Sequence, residues 1–186
     1  LANGISISNN QIDNNANGIA INADNVNRLV TIQKNTIESN DNEGITMFGS
    51  SNSPNAKIKQ NDINSNAGNG IGIFAGSATI TFNNIVGNTN GGINGGGADS
   101  TVDATSNWWG DANGPSTTDN PATTSGASIT GDVTFEPWAD AEINTDNPNP
   151  SLTSAESIGT DGSTTINTGS TTVSSANIQS NADTSG

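Results

Sequence analysis

Apolar and polar positions alternate over short stretches in the first half of the chain, and the pattern repeats. The segments that begin at Ile7, Ile32, Ile58 and Ile80 superpose without a gap, at offsets of 25, 26 and 22 residues. Each has an Asn three places after the first Ile and a second Ile two places after that Asn. Such alternation, punctuated by Asn and Gly, predicts short strands joined by tight bends. No window has the i, i+3, i+4, i+7 spacing of a helix.

Two columns of Asn run in phase with the Ile columns. The first contains Asn10, Asn35, Asn61 and Asn83, and the second contains Asn15, Asn40, Asn66 and Asn88. We expect each Asn to adopt a left-handed bend conformation and its amide to bond to the Asn one coil away. The alternative is that they are only loop residues in an Asn-rich chain. That alternative does not explain why two Asn columns stay in phase while the loops vary in length.

A Gly-Ile pair follows in every repeat, and the repeats together predict an all-β solenoid. The pairs are Gly18-Ile19, Gly44-Ile45, Gly70-Ile71 and Gly92-Ile93. Repeats of 22 to 26 residues stack equivalent strands about 4.8 Å apart as parallel sheets. We expect about four to five coils over residues 1–110. Val102 is expected to continue the first Ile column, 22 residues after Ile80.

The remaining chain changes in composition. We expect a capping loop and strand over residues 111–143, and a Ser/Thr/Asn/Pro-rich linker, or the start of a following domain, over residues 144–186. Weak strand patterns at 163–166 and 170–173 keep the second possibility open. Leu1 enters in mid-pattern, which predicts a bare first coil open to stacking on another subunit, or a chain cut from a longer protein.

Composition excludes several kinds of chemistry. The 186 residues include no His, Cys or Tyr, which excludes Ser-His-Asp and Cys-His nucleophiles and His- or Cys-ligated metals. A formal charge of −14, from eighteen acidic and four basic residues, opposes binding to nucleic acid. No apolar run is long enough for a membrane helix.

The coils resemble the right-handed, single-stranded parallel β-helix of the pectate-lyase-like superfold, which also occurs in repeat regions of bacterial and archaeal surface proteins. The segment Asn107-Trp108-Trp109-Gly110, followed by Gly114-Pro115, is similar to one that closes such regions before a strand ending in Pro-Trp. That strand is present and ends in Pro137-Trp138. The resemblance implies a cap made of Trp108, Trp109 and Trp138, because open solenoid ends expose apolar surface. The alternative role of these indoles is a sugar-stacking platform.

Candidate ligands and catalytic groups are few. Asp13 and Glu38 occupy equivalent outward positions on successive coils, and Asp99 and Asp103 lie near the cap. These four carboxylates are weak candidates for a Ca²⁺ site, and a solvated acidic stripe is the plainer interpretation. Arg28, Lys34, Lys57 and Lys59 are interpreted as solvated. We therefore predict no catalytic residue and no cofactor, apart from a possible Ca²⁺.

These features favour a non-catalytic structural or adhesive module of a secreted or cell-surface protein, assembled into a surface layer or filament. Expected partners are copies of itself or neighbouring domains of the same protein, and carbohydrate in the alternative. The alternative is a polysaccharide-binding or polysaccharide-degrading β-helix of the lyase, epimerase or phage-tailspike type.

Overall fold

In the computed structural model of the chain, the described residues are 4–22, 24, 29–49, 55–97, 100–120 and 122–154, with the backbone of 157–158 and 164–165. Within them, β-strands are the regular elements. They are β1 (Ile5–Ser8), β2 (Gln11–Asp13), β3 (Ile19–Asn22), β4 (Val30–Gln33), β5 (Thr36–Glu38), β6 (Ile45–Phe48), β7 (Asn55–Lys59), β8 (Asp62–Asn64), β9 (Asn69–Ile73), β10 (Ser77–Thr81), β11 (Asn84–Val86), β12 (Gly91–Gly95), β13 (Thr101–Asp103), β14 (Ile129–Gly131), β15 (Val133–Thr134), β16 (Trp138–Ala139), β17 (Leu152–Thr153), β18 (Ser157–Ile158) and β19 (Thr164–Thr165).

From β1 to β13 every third strand stacks on its equivalent, and β14 and β15 then extend the third and first sheets, so the chain winds around three parallel sheets. The first sheet has the order β1-β4-β7-β10-β13-β15, the second β11-β8-β5-β2 and the third β14-β12-β9-β6-β3. Two further pairs, β16 with β17 and β18 with β19, are antiparallel. The predicted all-β parallel solenoid is confirmed.

The predicted register of the regular coils is also confirmed. Ile7 pairs with Ile32, Ile32 with Ile58 and Ile58 with Ile80 along the first sheet. The other apolar columns align in the same way on the second and third sheets. From Ile7 to Ile80 the chain makes three regular turns, so the solenoid is closer to three coils than to the four to five expected.

The core is a stack of aliphatic side chains inside the three sheets. Its fully buried members include Ile32, Ile37, Ile45, Met47, Ile58, Ile63, Ile71, Ile73, Ile80, Ile85 and Ile93. Burying an aliphatic side chain of this size contributes roughly 1.5 to 3 kcal/mol, and these side chains stack on their equivalents in adjacent coils. The apolar columns thus stabilise the solenoid layer by layer.

Val102 does not continue the first Ile column, and that prediction is wrong. It pairs with Ala78, so Ala104 takes the position above Ile80. Val102 comes nine positions after Ile93, whereas Ala78 comes seven positions after Ile71. The Gly-rich connection after β12 therefore lengthens this turn by two residues, which shifts the column.

Candidate functional site

The first Asn column forms a continuous hydrogen-bonded ladder through the solenoid. Asn10 Nδ2 donates to Asn35 Oδ1 at 3.0 Å, and Asn35 Nδ2 donates to Asn61 Oδ1 at 3.0 Å. Asn61 and Asn83 continue it at 2.9 Å each, the last bond reaching Asn107. Sequence reasoning left Asn107 out of the ladder, although its spacing of 24 residues from Asn83 is the signal that identifies it.

The second column forms a parallel ladder at the next corner. Its side-chain bonds run from Asn15 to Asn40 at 3.3 Å, from Asn40 to Asn66 at 2.8 Å and from Asn66 to Asn88 at 2.8 Å. In both ladders the backbone N–H of each Asn before the last also donates to the Oδ1 one coil further on, for example from Asn66 to Asn88 at 3.1 Å. Each interior amide thereby has all its polar atoms bonded, which burial requires.

The Asn side chains bond as expected, but the Asn backbones do not adopt the left-handed bend. The positive φ falls one residue earlier, at Asn9, Lys34, Gln60, Phe82 and Ser106 in the first column and at Asn14, Ser39, Ser65 and Gly87 in the second. The ladder residue needs a backbone that aims its amide along the solenoid axis. The preceding residue therefore makes the sharp turn, and its φ lies between 55° and 67°.

The glycine of each Gly-Ile pair is required by packing rather than by a special φ. A Cβ on Gly70 would lie 2.8 Å from Asn88 Nδ2 and 2.9 Å from the Gly92 carbonyl oxygen. A Cβ on Gly44 would meet Asn66 and Gly70 at 2.8 Å each. The glycine column lets the second ladder pass close to the backbone of the third sheet.

The three Trp residues lie after the last regular coil. Trp109 is fully buried and Trp138 is 2% exposed, whereas Trp108 is half-buried and bridges Asn84 on the adjacent coil. Trp138 stacks on Phe135 at a centroid distance of 6.1 Å, and its Nε1 donates to the Ala112 carbonyl at 3.0 Å. Burial leaves no face of Trp109 or Trp138 open for stacking on a sugar.

A hairpin built on β16 and β17 returns along the outside of the second sheet. Trp138 pairs with Thr153, and the connecting segment meets the solenoid at Asn84. Ile143 N donates to Asn84 Oδ1 at 2.9 Å, and Asn84 Nδ2 donates to the Ile143 carbonyl at 2.9 Å. Ile143 is buried by this contact.

The same hairpin reaches two earlier coils. Gln60 Nε2 donates to the Thr145 carbonyl at 3.1 Å, and Lys34 Nζ donates to the Asp146 carbonyl at 3.5 Å. The predicted linker boundary at residue 144 therefore falls inside this hairpin. Of the weak tail patterns, 163–166 includes β19, and 170–173 lies outside the described residues.

The acidic candidates do not come together as a cation site. Asp13 and Glu38 are neighbours in register, but Gln11 Nε2 donates to both, at 3.2 Å and 2.7 Å. Asp103 Oδ1 accepts from the Thr105 backbone N–H at 3.1 Å, and Asp99 lies outside the described residues. Among the described residues, no group of three or more acidic, His or Cys side chains has a geometry that could hold a metal ion.

The described Lys residues lie close together on neighbouring coils: Lys57 and Lys59 are two residues apart on β7, and Lys34 N donates to the Lys59 carbonyl at 3.3 Å. Lys57 is exposed on β7, Lys59 is half-buried at the end of the same strand, and Lys34 contacts the hairpin. Arg28 lies outside the described residues.

A loop closed by Asp111 follows Trp109. Asp111 Oδ1 accepts from Asn113 N at 2.9 Å, and its Oδ2 accepts from both the backbone N–H and the hydroxyl of Ser125 at 2.8 Å. These three bonds, first that from Asn113 N, lower the pKa of the Asp111 carboxyl below its ordinary value. The carboxylate thus ties together the two ends of the loop.

Beside this loop lies an open cleft of about 540 Å³. Its walls are the corner after β11, the point where the chain leaves the solenoid and the point where it returns, and they comprise Val86 to Gly91, Trp109, Gly110, Ser116 and Thr124 to Ser128. Trp109 Nε1 is a buried donor with no partner among the described residues. No sequence pattern indicates this cleft, because its position depends on where the chain departs from the repeat.

Comparison with known proteins identifies the repeat region. A family model described as a right handed beta helix region matches residues 2–108. A comparison with curated proteins and one with solved structures each found no match. In the described residues there is no helix of the length and hydropathy needed to cross a bilayer.

Proposed function

Because the chain belongs to the right-handed beta helix family, we propose that it is a non-catalytic structural or adhesive module of a secreted or cell-surface protein. Assembly into a surface layer or filament is the form that this proposal takes. A rigid, acidic rod suits such a role, since its charge keeps the surface hydrated while its ladders fix the shape.

The observation that carries the proposal is how the buried polar groups are used. From Asn35 to Asn107 and from Asn40 to Asn88, the buried amides bond to one another and to backbone carbonyls of adjacent coils. A polar side chain that binds a substrate needs a hydrogen-bonding atom that is not already bonded within the protein. These amides have their hydrogen bonds directed along the rod, which supports a role in stiffness.

The test is to locate the protein and observe its assembly. Antibody labelling of intact source cells should detect it outside the membrane, and electron microscopy of the purified full chain should show ordered arrays or filaments. Recovery only from the cytosolic fraction, as a monomer that stays discrete at high concentration, would sink the proposal.

Carbohydrate binding is a second candidate, favoured by two exposed aromatic side chains on the outer edge of the third sheet. Phe48 is 42% exposed and Phe74 39% exposed, and they occupy equivalent positions on successive coils. The Phe74 ring packs against Gly72, because a Cβ added to Gly72 would lie 2.7 Å from Phe74 Cε2. Aromatic faces presented in this way are surfaces on which sugar rings stack.

A glycan array, together with a uronate-release assay with and without Ca²⁺, tests this second candidate. Phe74→Ala should abolish any array signal that depends on the aromatic pair. Ile5→Ala is a matched control, because Ile5 is similarly exposed, at 41%, on a different sheet. An array signal that survives Phe74→Ala would rule out this surface.

A further inference from the structure

Three of the chain's four basic residues lie together beside the outer surface of the first sheet. Lys57 and Lys59 are two positions apart on β7, and the fully buried Ile58 between them points inward, so both lysines project outward. Lys34 lies at the corner one coil earlier. We name Lys57, Lys59 and the outer positions paired with them the lysine face; the paired positions are Thr31, Gln33, Thr79 and Thr81.

The lysine face has no negative charge to balance it. Among the described residues, neither Lys57 nor Lys59 forms an ion pair, and their neighbours in register on both sides are Thr or Gln. The carboxylate in the same column is Asp103, which pairs with Thr79 and is therefore two strand spacings from Lys57, or about 9.6 Å. The two ammonium groups are thus available to carboxylates of another molecule.

The surface beside Lys57 is concave rather than flat. A groove of about 420 Å³ is lined by Lys57 and by small polar side chains that include Ser77 and Thr79. Leu29, which is 39% exposed, adds an apolar patch to its wall. A protruding corner of a second molecule fits such a groove better than a flat sheet does.

The chain also has a surface of the opposite charge on another side of the solenoid. Asp13 and Glu38 pair in register on the outside of the second sheet, and Asp41 and Glu43 follow at the next corner. We name these four residues the acidic corner. Like charges on adjacent strands repel one another, and Gln11, which bonds to both Asp13 and Glu38, is neutral. None of the described Lys residues forms an ion pair with this corner.

We propose that the lysine face binds the acidic corner of a second copy of this chain, so that solenoids pack side by side. The inference rests on the proposed function and identifies the contact through which its copies assemble. The two surfaces differ, so the contact is heterologous, and each copy keeps one surface free to bind the next. An open array results from this arrangement, as a surface layer requires.

Salt decides whether the local attraction exceeds the repulsion between whole chains. The net charge of −14 opposes association, but at about 0.1 M salt charges more than roughly 10 Å apart are largely screened. Contacts between a lysine and a carboxylate at the interface are screened less. Each exposed ion pair is weak, so the array depends on several pairs and on repetition of the contact.

The test is sedimentation velocity of the full chain and of two double variants. At about 0.1 M NaCl the wild type should associate as its concentration rises, and about 0.5 M NaCl should weaken this association. Lys57→Glu with Lys59→Glu should weaken it about tenfold or more, because carboxylates would then face carboxylates. Glu38→Lys with Asp41→Lys should weaken it to a similar extent.

An equimolar mixture of the two double variants gives the decisive result. Each altered surface meets its opposite charge in the mixture, so association should return. The variants are four charges more negative and four charges less negative than the wild type, so both remain net negative and net charge alone predicts that they repel. Asp140→Lys with Glu142→Lys is the matched control, because both residues are exposed on the hairpin, and it should associate as the wild type does.

The outcomes separate this contact from the proposed function. Association that survives both double variants, or a mixture that stays dissociated, would overturn the contact and leave assembly through another surface standing. A wild type that stays monomeric at every concentration would overturn both the contact and the assembled form, whereas antibody labelling of intact cells tests the surface location separately. Binding of dextran sulfate without self-association would assign the lysine face to an anionic polymer and overturn the proposal.

Discussion

The ladder makes its sharpest prediction at Asn61, which is fully buried in the middle of the first column. Its Nδ2 donates to the Ile32 and Lys59 carbonyls at 3.0 Å each and to Asn83 Oδ1 at 2.9 Å. Its Oδ1 accepts from Asn35 N and Nδ2 at 3.0 Å each. Asn61→Ala removes all five bonds together.

The magnitude follows from which partners are left unpaired. Asn35 Nδ2 keeps its bonds to Ile7 and Gln33, and Asn83 Oδ1 keeps the Asn61 backbone N–H. The Asn35 backbone N–H loses its acceptor, and the Ile32 carbonyl loses the amide that bonds to it from inside the solenoid. A buried group left unpaired costs about 1 to 3 kcal/mol, so the Asn35 N–H predicts a loss of about that size, because the Ile32 carbonyl remains in the parallel pair of β4 with β7.

The assay is urea unfolding followed by far-UV circular dichroism, with Asn10→Ala as the control. Asn10 stands in the same column, but at its exposed end, and Asn35 Oδ1 keeps the Asn10 backbone N–H when the side chain is removed. We expect the control to lose less than about 1 kcal/mol, because no buried group is left unpaired. Equal losses at the two positions, or an Asn61→Ala variant as stable as the wild type, would refute the reasoning.

Three further predictions concern packing and pH. Ile58→Ala should lower the unfolding free energy by about 2 to 5 kcal/mol in the same urea assay, because the cavity is felt by both neighbouring coils, and a neutral result would contradict the register. Gly70→Ala should cost about 1 to 3 kcal/mol, since its Cβ meets backbone and ladder atoms at 2.8 to 2.9 Å; a wild-type midpoint would show that the coils can separate freely. The lowered pKa of Asp111 means that its bonds to Ser125 stabilise the loop at neutral pH and are lost as the pH falls through that lowered pKa. The Ser125 amide signal in NMR spectra should therefore move on acidification in the wild type and stay in place in Asp111→Asn, and identical titrations would exclude Asp111 as the cause.

The Ile and Asn columns could be predicted from sequence because their positions have the same environment in every coil. The residue types of Ile58 and Asn61 therefore recur at the same spacing. The direct pairing of Ile58 with Ile80, and the bond from Asn61 to Asn83, follow from that recurrence. The positions with a positive φ were not predicted, because Lys34, Gln60 and Phe82 share this backbone conformation but have chemically unrelated side chains.

The cleft and the hairpin could not be predicted in this way. The contact of Ile143 with Asn84 joins residues 59 apart that belong to no common pattern. The cleft forms where the backbone turns away from the repeat at Gly110, with a φ of 89°, after the last regular coil. A local pattern carries no information on where such a non-repeating segment packs, since many outer faces of the solenoid present similar polar side chains.

The number of residues between strands varies mainly at one corner of the coil, and this explains where binding residues can be added to the fold. Between the first and second sheets, Ile12 comes five positions after Ile7 and Ile63 five positions after Ile58, and the first ladder stabilises that corner. The second ladder and the glycine column hold the next corner, where an added Cβ has no room. The third corner has no ladder, and the offsets of 25, 26 and 22 residues arise mainly there. New binding residues can therefore be added at the third corner without disturbing the core.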